Sequence, residues 1–583
     1  MENKHVWATE DIFADLTEWN SLFDKLSKEI DFSEYKGKLG EKEGFIACFK
    51  KQEKLSREFE KLSLYAMMKR DEDTKNAGYD SLNSKVMAMG ATFGAQTAFI
   101  VPELTALSEQ TLLAYIKDPE LKEYDYFLKG ILKDKSHVLS EKEEELLAKS
   151  SETFSTFKDI FTKIDNADLP LGSIRDGKEI IPLSHGVYGV IMHGENRALR
   201  KKTFKKYYDA YVSLINVISS TYYGNVKKNV FVAKARNYSS VLDMALNGED
   251  VDRAVYDNLI SSVEKALPLL HRYMKEKKKL LGYKKMYMYD VYVPIVSGAE
   301  LQLDYDTAYD MVVDGLSVLG EDYKNLLIKA KDERWIDVYE RKGKRSGAYS
   351  ATVYDTHPYV LLNYQKTTHD VFTIAHEMGH SIHSYFSNAN QSYFKADYKI
   401  FVAEVASTVN EVLLLKHLLK NQTDKKLKKY LLSYLLEMIR TTLFRQTQFS
   451  EFEDFAHKSV ENGVPLTKEN MSEEYLRLNK KYYGPAVESE GEIKYEWARI
   501  PHFYRAFYVY KYATGIISAL AIADRILTEG KSAIDDYFNF LSSGGSDSPV
   551  NLLKIAGVDL TTNKPFDSAF KVFKDTMEEF IKL

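Results

Sequence analysis

Residues 367–380 read TTHDVFTIAHEMGH, and no other stretch constrains the chain so tightly. It ends in the pattern H-E-x-x-H: His376, Glu377, Met378, Gly379, His380. Side chains four apart share one face of an α-helix, so His376 and His380 aim two imidazoles at one point. That is half of a tetrahedral zinc site. Glu377 lies about 100° further round, placed to reach a water on the metal without binding the metal. The pattern is that of a zinc hydrolase with a carboxylate general base. Thr367 or Thr368 serves as N-cap, and Asp370 in the first turn suits the positive helix end. Val371, Ile374, Ala375 and Met378 supply apolar positions at helical spacing. The plain alternative is a buried helix whose histidines are merely hydrogen-bonded. Gly379 costs a helix about 1 kcal/mol against Ala. A close approach by another backbone, or by the metal, is the expected reason for it.

A zinc hydrolase takes three protein ligands and leaves one position open. In the metzincin pattern a glycine follows the second histidine by three residues and a third histidine by six. Those positions here are His383 and Phe386, which excludes that class. A carboxylate from a second helix remains. Residues 400–419 form a strong helical pattern through Phe401, Val402, Val405, Val409, Val412 and Leu413, and Glu404 interrupts its apolar face. An isolated buried charge is very costly, so a carboxylate there needs a partner. Glu404 is the expected third ligand. Glu411, seven residues on, either orients a ligand histidine or is a surface or ion-paired glutamate. His383 reads as a packed helix histidine, with a substrate contact as the alternative.

Residues 500–515, IPHFYRAFYVYKYATG, read as a helix with Tyr504, Tyr508 and Tyr512 at i, i+4, i+8 on one face. Such a stripe is most often core. A zinc protease, however, needs a donor for the oxyanion, and His502 and these tyrosines are the candidates. Spacing does not choose among them.

The rest of the chain sets the frame. Its 583 residues suffice for more than one core, and the 12 prolines suit long helices. A net charge of −5, with no basic stripe, argues against nucleic-acid binding. Cys48 is the one cysteine, so no internal disulfide forms, which fits a reducing cytoplasm. The opening MENKHVWATEDIFADL lacks the apolar core of a signal peptide, and no apolar run reaches the ~18 residues of a membrane span. From about Thr17 to Gly172 successive helices are expected, broken at Pro102, with a capping box at Ser140 and Glu143. Asp176-Gly177 signals a hairpin. Residues 283–293 read as a short strand or extended segment. Residues 335–363 are irregular, punctuated by Gly343 and Gly347. Residues 360–364, VLLNY, read as a strand whose edge accepts an extended peptide. A phosphate cradle at the glycines fits neither the Walker nor the dinucleotide spacing. No internal repeat is present, which excludes a solenoid.

The segments HEMGHSIHS, FVAEVASTVNE, DVYERKGKRSGAYS and IPHFYRAFYVYKYATG resemble those of M3-family zinc oligopeptidases, of the oligoendopeptidase F (thimet oligopeptidase-like) type. WATEDIF and ARNYSSVLDMAL extend the resemblance, more loosely, to nearly the full length. It implies a mainly α fold with two lobes about a deep substrate channel and a small β-sheet beside the zinc helix. Residues 1–190 would form an N-terminal helical lobe and 191–583 the catalytic domain. His376, His380 and Glu404 would hold one Zn(2+) per chain, with Glu377 as general base. His502 and nearby tyrosines would bind substrate and oxyanion. Glu411, His383 and Gly347 stand around ligands or substrate. Glu340 departs from the proline expected in the glycine-bearing loop. The expected protein is a cytoplasmic endopeptidase of short peptides, with no nucleic-acid or membrane partner and its oligomeric state open. Two rivals are a helical zinc carboxypeptidase, which needs a clamp for a free carboxylate, and a non-catalytic peptide carrier. The carrier's structural zinc would want four protein ligands, often cysteines.

Overall fold

The low proline content and helical spacing are realised as a mainly α fold with, among the described residues, three small sheets. The structure, a computed structural model, describes residues 2–583. Helix starts follow local chemistry. The Asp15 carboxylate accepts from the backbone N–H groups of Thr17 and Glu18 ahead of the helix Leu16–Glu29. Ser140 and Glu143 form the expected capping box at Glu141–Lys163. Pro102 sits inside the first turn of Ile100–Ala106, where a missing N–H costs nothing, and the chain breaks just before it.

The chain divides into two compact units. The first comprises Met1–Val138, Glu300–Lys420 and Ile522–Val558; the second comprises Leu139–Ala299, Asn421–Ala521 and Asp559–Leu583. Each unit therefore draws on residues from both sides of position 190.

In the first unit the N-terminal helices bury Trp19, Phe45, Phe49, Leu62 and Leu128, with Cys48 in the same core. A smaller cluster, Trp7, Leu64, Met68, Tyr359 and Leu361, joins them to a three-stranded sheet. The strands are β4 (Ile336–Asp337), β5 (Tyr349–Ala351) and β6 (Tyr359–Leu361), in the order β4-β6-β5. β6 pairs parallel with β4 and antiparallel with β5. The strand expected at residues 360–364 is thus central and offers no edge. Its backbone continues to pair beyond the strand, Leu362 N–H donating to Asp337 O and Tyr364 N–H to Val338 O. An apolar run signals burial on both faces, as a central strand requires, and is silent on neighbours. The outer strands are β4 and β5; the chain beside β4 is met by the N-terminal segment, Val338 N–H donating to His5 O, and β5 is the other edge.

The second unit holds the hairpin β1 (Ser173–Asp176) and β2 (Glu179–Pro182), turned at Gly177 with φ +57° as the Asp-Gly pair predicts. A two-residue strand β3 (Met286–Tyr287) pairs parallel with β7 (Val487–Glu488). The last helix, Lys564–Lys582, buries Phe566, Ala569, Val572, Phe573, Thr576, Met577 and Phe580 at helical spacing. Glu437 accepts from Arg440 Nη2 at 2.6 Å, Lys277 Nζ at 2.9 Å and Tyr273 Oη at 2.6 Å, while Lys277 and Arg440 are each 1% exposed. Glu437→Ala strands two buried cations, and we expect it to destabilise this unit by about 3–5 kcal/mol in a urea titration. No helix among the described residues is long and apolar enough to cross a membrane.

Candidate active site

The helix Thr368–Asn390 opens with a capping box in which Thr367 and Asp370 satisfy each other's backbone N–H groups. Gly379 explains what lies against it. A Cβ there would fall 2.5 Å from Ser407 Cα and 2.8 Å from Ala406 O, inside the backbone of the helix Ile400–Asn421. The missing side chain lets the two helices touch. Asn410 Nδ2 donates to Ala375 O at 3.0 Å and is itself held by Tyr323, whose hydroxyl donates to Asn410 Oδ1 at 2.8 Å. This contact carries Glu404 and Glu411 to the histidines. Gly379→Ala should push the helices apart, costing about 1–3 kcal/mol, and lower metal occupancy; melting and metal content of the purified variant check both.

His376 Nε2 and His380 Nε2 lie 3.2 Å apart, and Glu404 Oε2 is 3.4 Å from the first and 3.7 Å from the second. Ligands at about 2.0–2.2 Å from a tetrahedral zinc sit about 3.3–3.6 Å from one another, so the three atoms occupy one face of such a tetrahedron. On this measure the residues fit a divalent cation. His376 Nδ1 faces Glu411 Oε1 at 2.5 Å, which fixes the ring and leaves Nε2 toward the cluster. The charges agree: Glu377, Glu404 and Glu411 surround two imidazoles, an arrangement that calls for a positive charge. Burial works against protonation of His376, but Glu404 and Glu411 outweigh it and raise its pKa, while burial and the His376 charge lower that of His380.

Glu377 is 7% exposed. Burial raises its carboxyl to about 7, with His376 pulling the other way and the carboxylates Glu404 and Glu411 adding to the rise. A backbone hydrogen bond from Ser350, in β5, reaches it. The Ser350 hydroxyl meets Ser381 of the metal helix at 2.9 Å. Sequence reading did not single out Ser350; the only signal was its place at the end of the GKRSGAYS loop. A cavity of about 930 Å³ in the first unit opens beside His380, lined also by Glu60, Ser350, Tyr354, Ser384 and Tyr398.

The remaining candidates divide. His383 is buried and stacked on Tyr398 at 3.8 Å, so it packs, and the substrate-contact alternative fails. Gly347 takes φ +89° just before β5, and its carbonyl accepts from Asn363. Glu340 accepts from Gln365 Nε2 at 2.6 Å. The single helix expected over residues 500–515 does not form. A 3-10 turn covers Pro501–Tyr504, and the helix begins only at Tyr510. Tyr504 therefore leaves the expected face: it is 7% exposed and stacked on Phe161 at 4.4 Å. His502, Tyr508 and Tyr512 do cluster, with ring centroids 5.4–6.3 Å apart. His502 is exposed and both tyrosines are half-buried, so their polar tips can meet a ligand.

Comparison with known proteins gives the family. The family model described as Peptidase family M3 matches residues 190–572, and that described as Oligopeptidase F matches residues 103–170. Oligopeptidase PepF of Bacillus subtilis (strain 168) is 42% identical over 582 residues, covering 99% of this chain and 87% of its own. Group B oligopeptidase PepB of Streptococcus agalactiae is 40% identical, with 100% and 98% covered. The crystal structure of oligoendopeptidase-F from Enterococcus faecium aligns with a TM-score of 0.74 at 35% identity, over 97% of this chain and 98% of that one.

Proposed function

The chain belongs to peptidase family M3, of the oligoendopeptidase F type, and is a metallopeptidase; on that premise we propose that it is a zinc endopeptidase of short peptides, with Glu377 as general base. The observation that carries the reading is the cluster of His376, His380 and Glu404, whose ligand atoms all lie within 4.8 Å of one another. Two nitrogens and one carboxylate oxygen suit Zn(2+), one per chain. A bound zinc ion supplies Lewis acidity, lowering the pKa of a water and polarising the scissile carbonyl. Glu377 would take a proton from the attacking water on its carboxylate and pass it to the leaving amine. Its burial brings its pKa toward the range where one carboxyl both accepts and releases a proton near neutrality. Glu411 holds His376 in the tautomer that keeps Nε2 free.

The peptide backbone pairs along the edge of β5, in place of the central residues 360–364, and main-chain pairing admits many side chains. His502, Tyr508 and Tyr512, clustered within the second unit, offer hydrogen bonds to a peptide substrate. Tyr504, sealed in the core, is left out of that role. The proposed setting is peptide turnover in the cytoplasm; a chain with one cysteine needs no oxidising compartment.

Peptides blocked at both ends and carrying a fluorophore–quencher pair test the reading, together with zinc analysis. We expect internal cleavage, one zinc per chain, loss of turnover on chelation and its return with one equivalent of zinc. Cleavage confined to peptides with a free C-terminal carboxylate would favour the carboxypeptidase. Full zinc content without cleavage of any peptide in a length series would favour the carrier.

A further inference from the structure

The helix Arg445–Glu461 buries Glu453 completely, at 0% exposure. Its Oε1 accepts the backbone N–H of Phe507 at 3.0 Å, and its Oε2 has no hydrogen-bond partner among the described residues. Burial holds this carboxyl well above its ordinary range. Nothing in the proposed chemistry uses it.

Phe507 is the other half of the contact. It adopts φ +50°, the left-handed region that a bulky residue rarely enters. Such a conformation persists only where the surroundings over-determine it. Two restraints do so here. The ring is 2% exposed, edge-on to Tyr256 at 6.0 Å and tilted over His457 at 4.9 Å. The N–H, which the turn gives no backbone acceptor, ends on Glu453. This turn joins Pro501–Tyr504 to the helix Tyr510–Glu529. His502 lies on one side of the joint and Tyr508 is the very next residue, their rings nearly parallel at 6.3 Å and 16°. The dihedrals of Phe507 therefore set where the cluster points.

We propose that Glu453 is a positioning residue, fixing the His502–Tyr508–Tyr512 cluster by holding Phe507 in its left-handed turn. The proposal rests on reading that cluster as the substrate's hydrogen-bond donors. Glu453 touches no substrate and acts only through Phe507. A misplacement of about 1 Å in a donor costs on the order of 10²-fold in rate.

The experiment compares Glu453→Leu, Glu453→Gln and Glu453→Asp in the full zinc-loaded chain, beside Tyr508→Phe and His502→Ala. Leu removes the acceptor and should lower kcat by about 10- to 100-fold with KM within about threefold and zinc content unchanged. Gln restores an oxygen at the same reach and should recover most of that loss. Asp is one methylene shorter, cannot reach Phe507 N–H, and should behave like Leu; it decides the matter if Leu does not fold. The double variant Glu453→Leu/Tyr508→Phe should lose about as much as the deeper single variant, because both act on one group. Normal kcat in Leu or Asp overturns the proposal, as do equal losses in Leu and Gln, or fully additive losses in the double variant. Normal turnover in both Tyr508→Phe and His502→Ala removes the donor reading itself. That result is distinct from one in which the donors matter and Glu453 does not.

Discussion

Glu377→Gln should retain the proposed zinc and lose peptide hydrolysis by about 10³- to 10⁴-fold, with KM little changed. Gln fills the same volume and still accepts the Ser350 hydrogen bond, so the helix and the cluster beside it keep their geometry. What it lacks is basicity: an amide oxygen takes no proton from the attacking water and has none to return. Glu377 is also separated from the ligand set by its angular position, because the nitrogen and oxygen atoms that converge belong to His376, His380 and Glu404. Metal binding and turnover should therefore come apart in this variant. Zinc per chain and kcat on a doubly blocked peptide measure the two independently. Turnover within about tenfold of the parent removes Glu377 as base. Loss of zinc would make it a ligand instead.

The convergence of His376 and His380 was legible in the sequence because the two residues are local. A spacing of four on a helix places two imidazoles together whatever the tertiary fold does. Glu404 was legible for a different reason: an acid interrupting an apolar helix face demands a partner, and the nearest unfilled demand was the third ligand. The contact that brings these helices together left only a trace, the unexplained Gly379. Its partner, the backbone at Ala406 and Ser407, lies nearly thirty residues away in sequence and in another helix.

The two misreadings share a cause. At residues 360–364 an apolar run reported burial correctly, but burial does not reveal which strands lie on either side, and β6 proved to be central. At residues 500–515 a period of four placed Tyr504, Tyr508 and Tyr512 on one face. Period becomes face only while the backbone stays helical, and here a 3-10 turn and a left-handed Phe507 intervene. Aromatic residues pack equally well against either backbone, so composition gave no warning. The signal that marks the turn is the acceptor on Glu453, a tertiary contact.

Glu404→Ala should abolish stoichiometric zinc binding, whereas Glu411→Ala should weaken it by only about 10- to 100-fold. The contrast follows from what each carboxylate faces. Glu404 Oε2 completes the three-atom face at 3.4 and 3.7 Å from the two imidazole nitrogens, and without it only two nitrogens, 3.2 Å apart, remain to coordinate a dication, with no carboxylate oxygen among the ligand atoms. Glu411 lies on the far side of His376, at Nδ1, where it orients the ring and strengthens its basicity. Removing it leaves all three ligand atoms in place. Competition against a chromogenic chelator ranks the affinities of the two variants and the parent on one scale, and circular dichroism checks that the helices persist. Full zinc occupancy in Glu404→Ala, or an equal loss in both variants, would show that the third ligand lies elsewhere. The base, the ligand set and the role of Glu411 would then all have to be reassigned, because each is defined by the point on which His376, His380 and Glu404 converge.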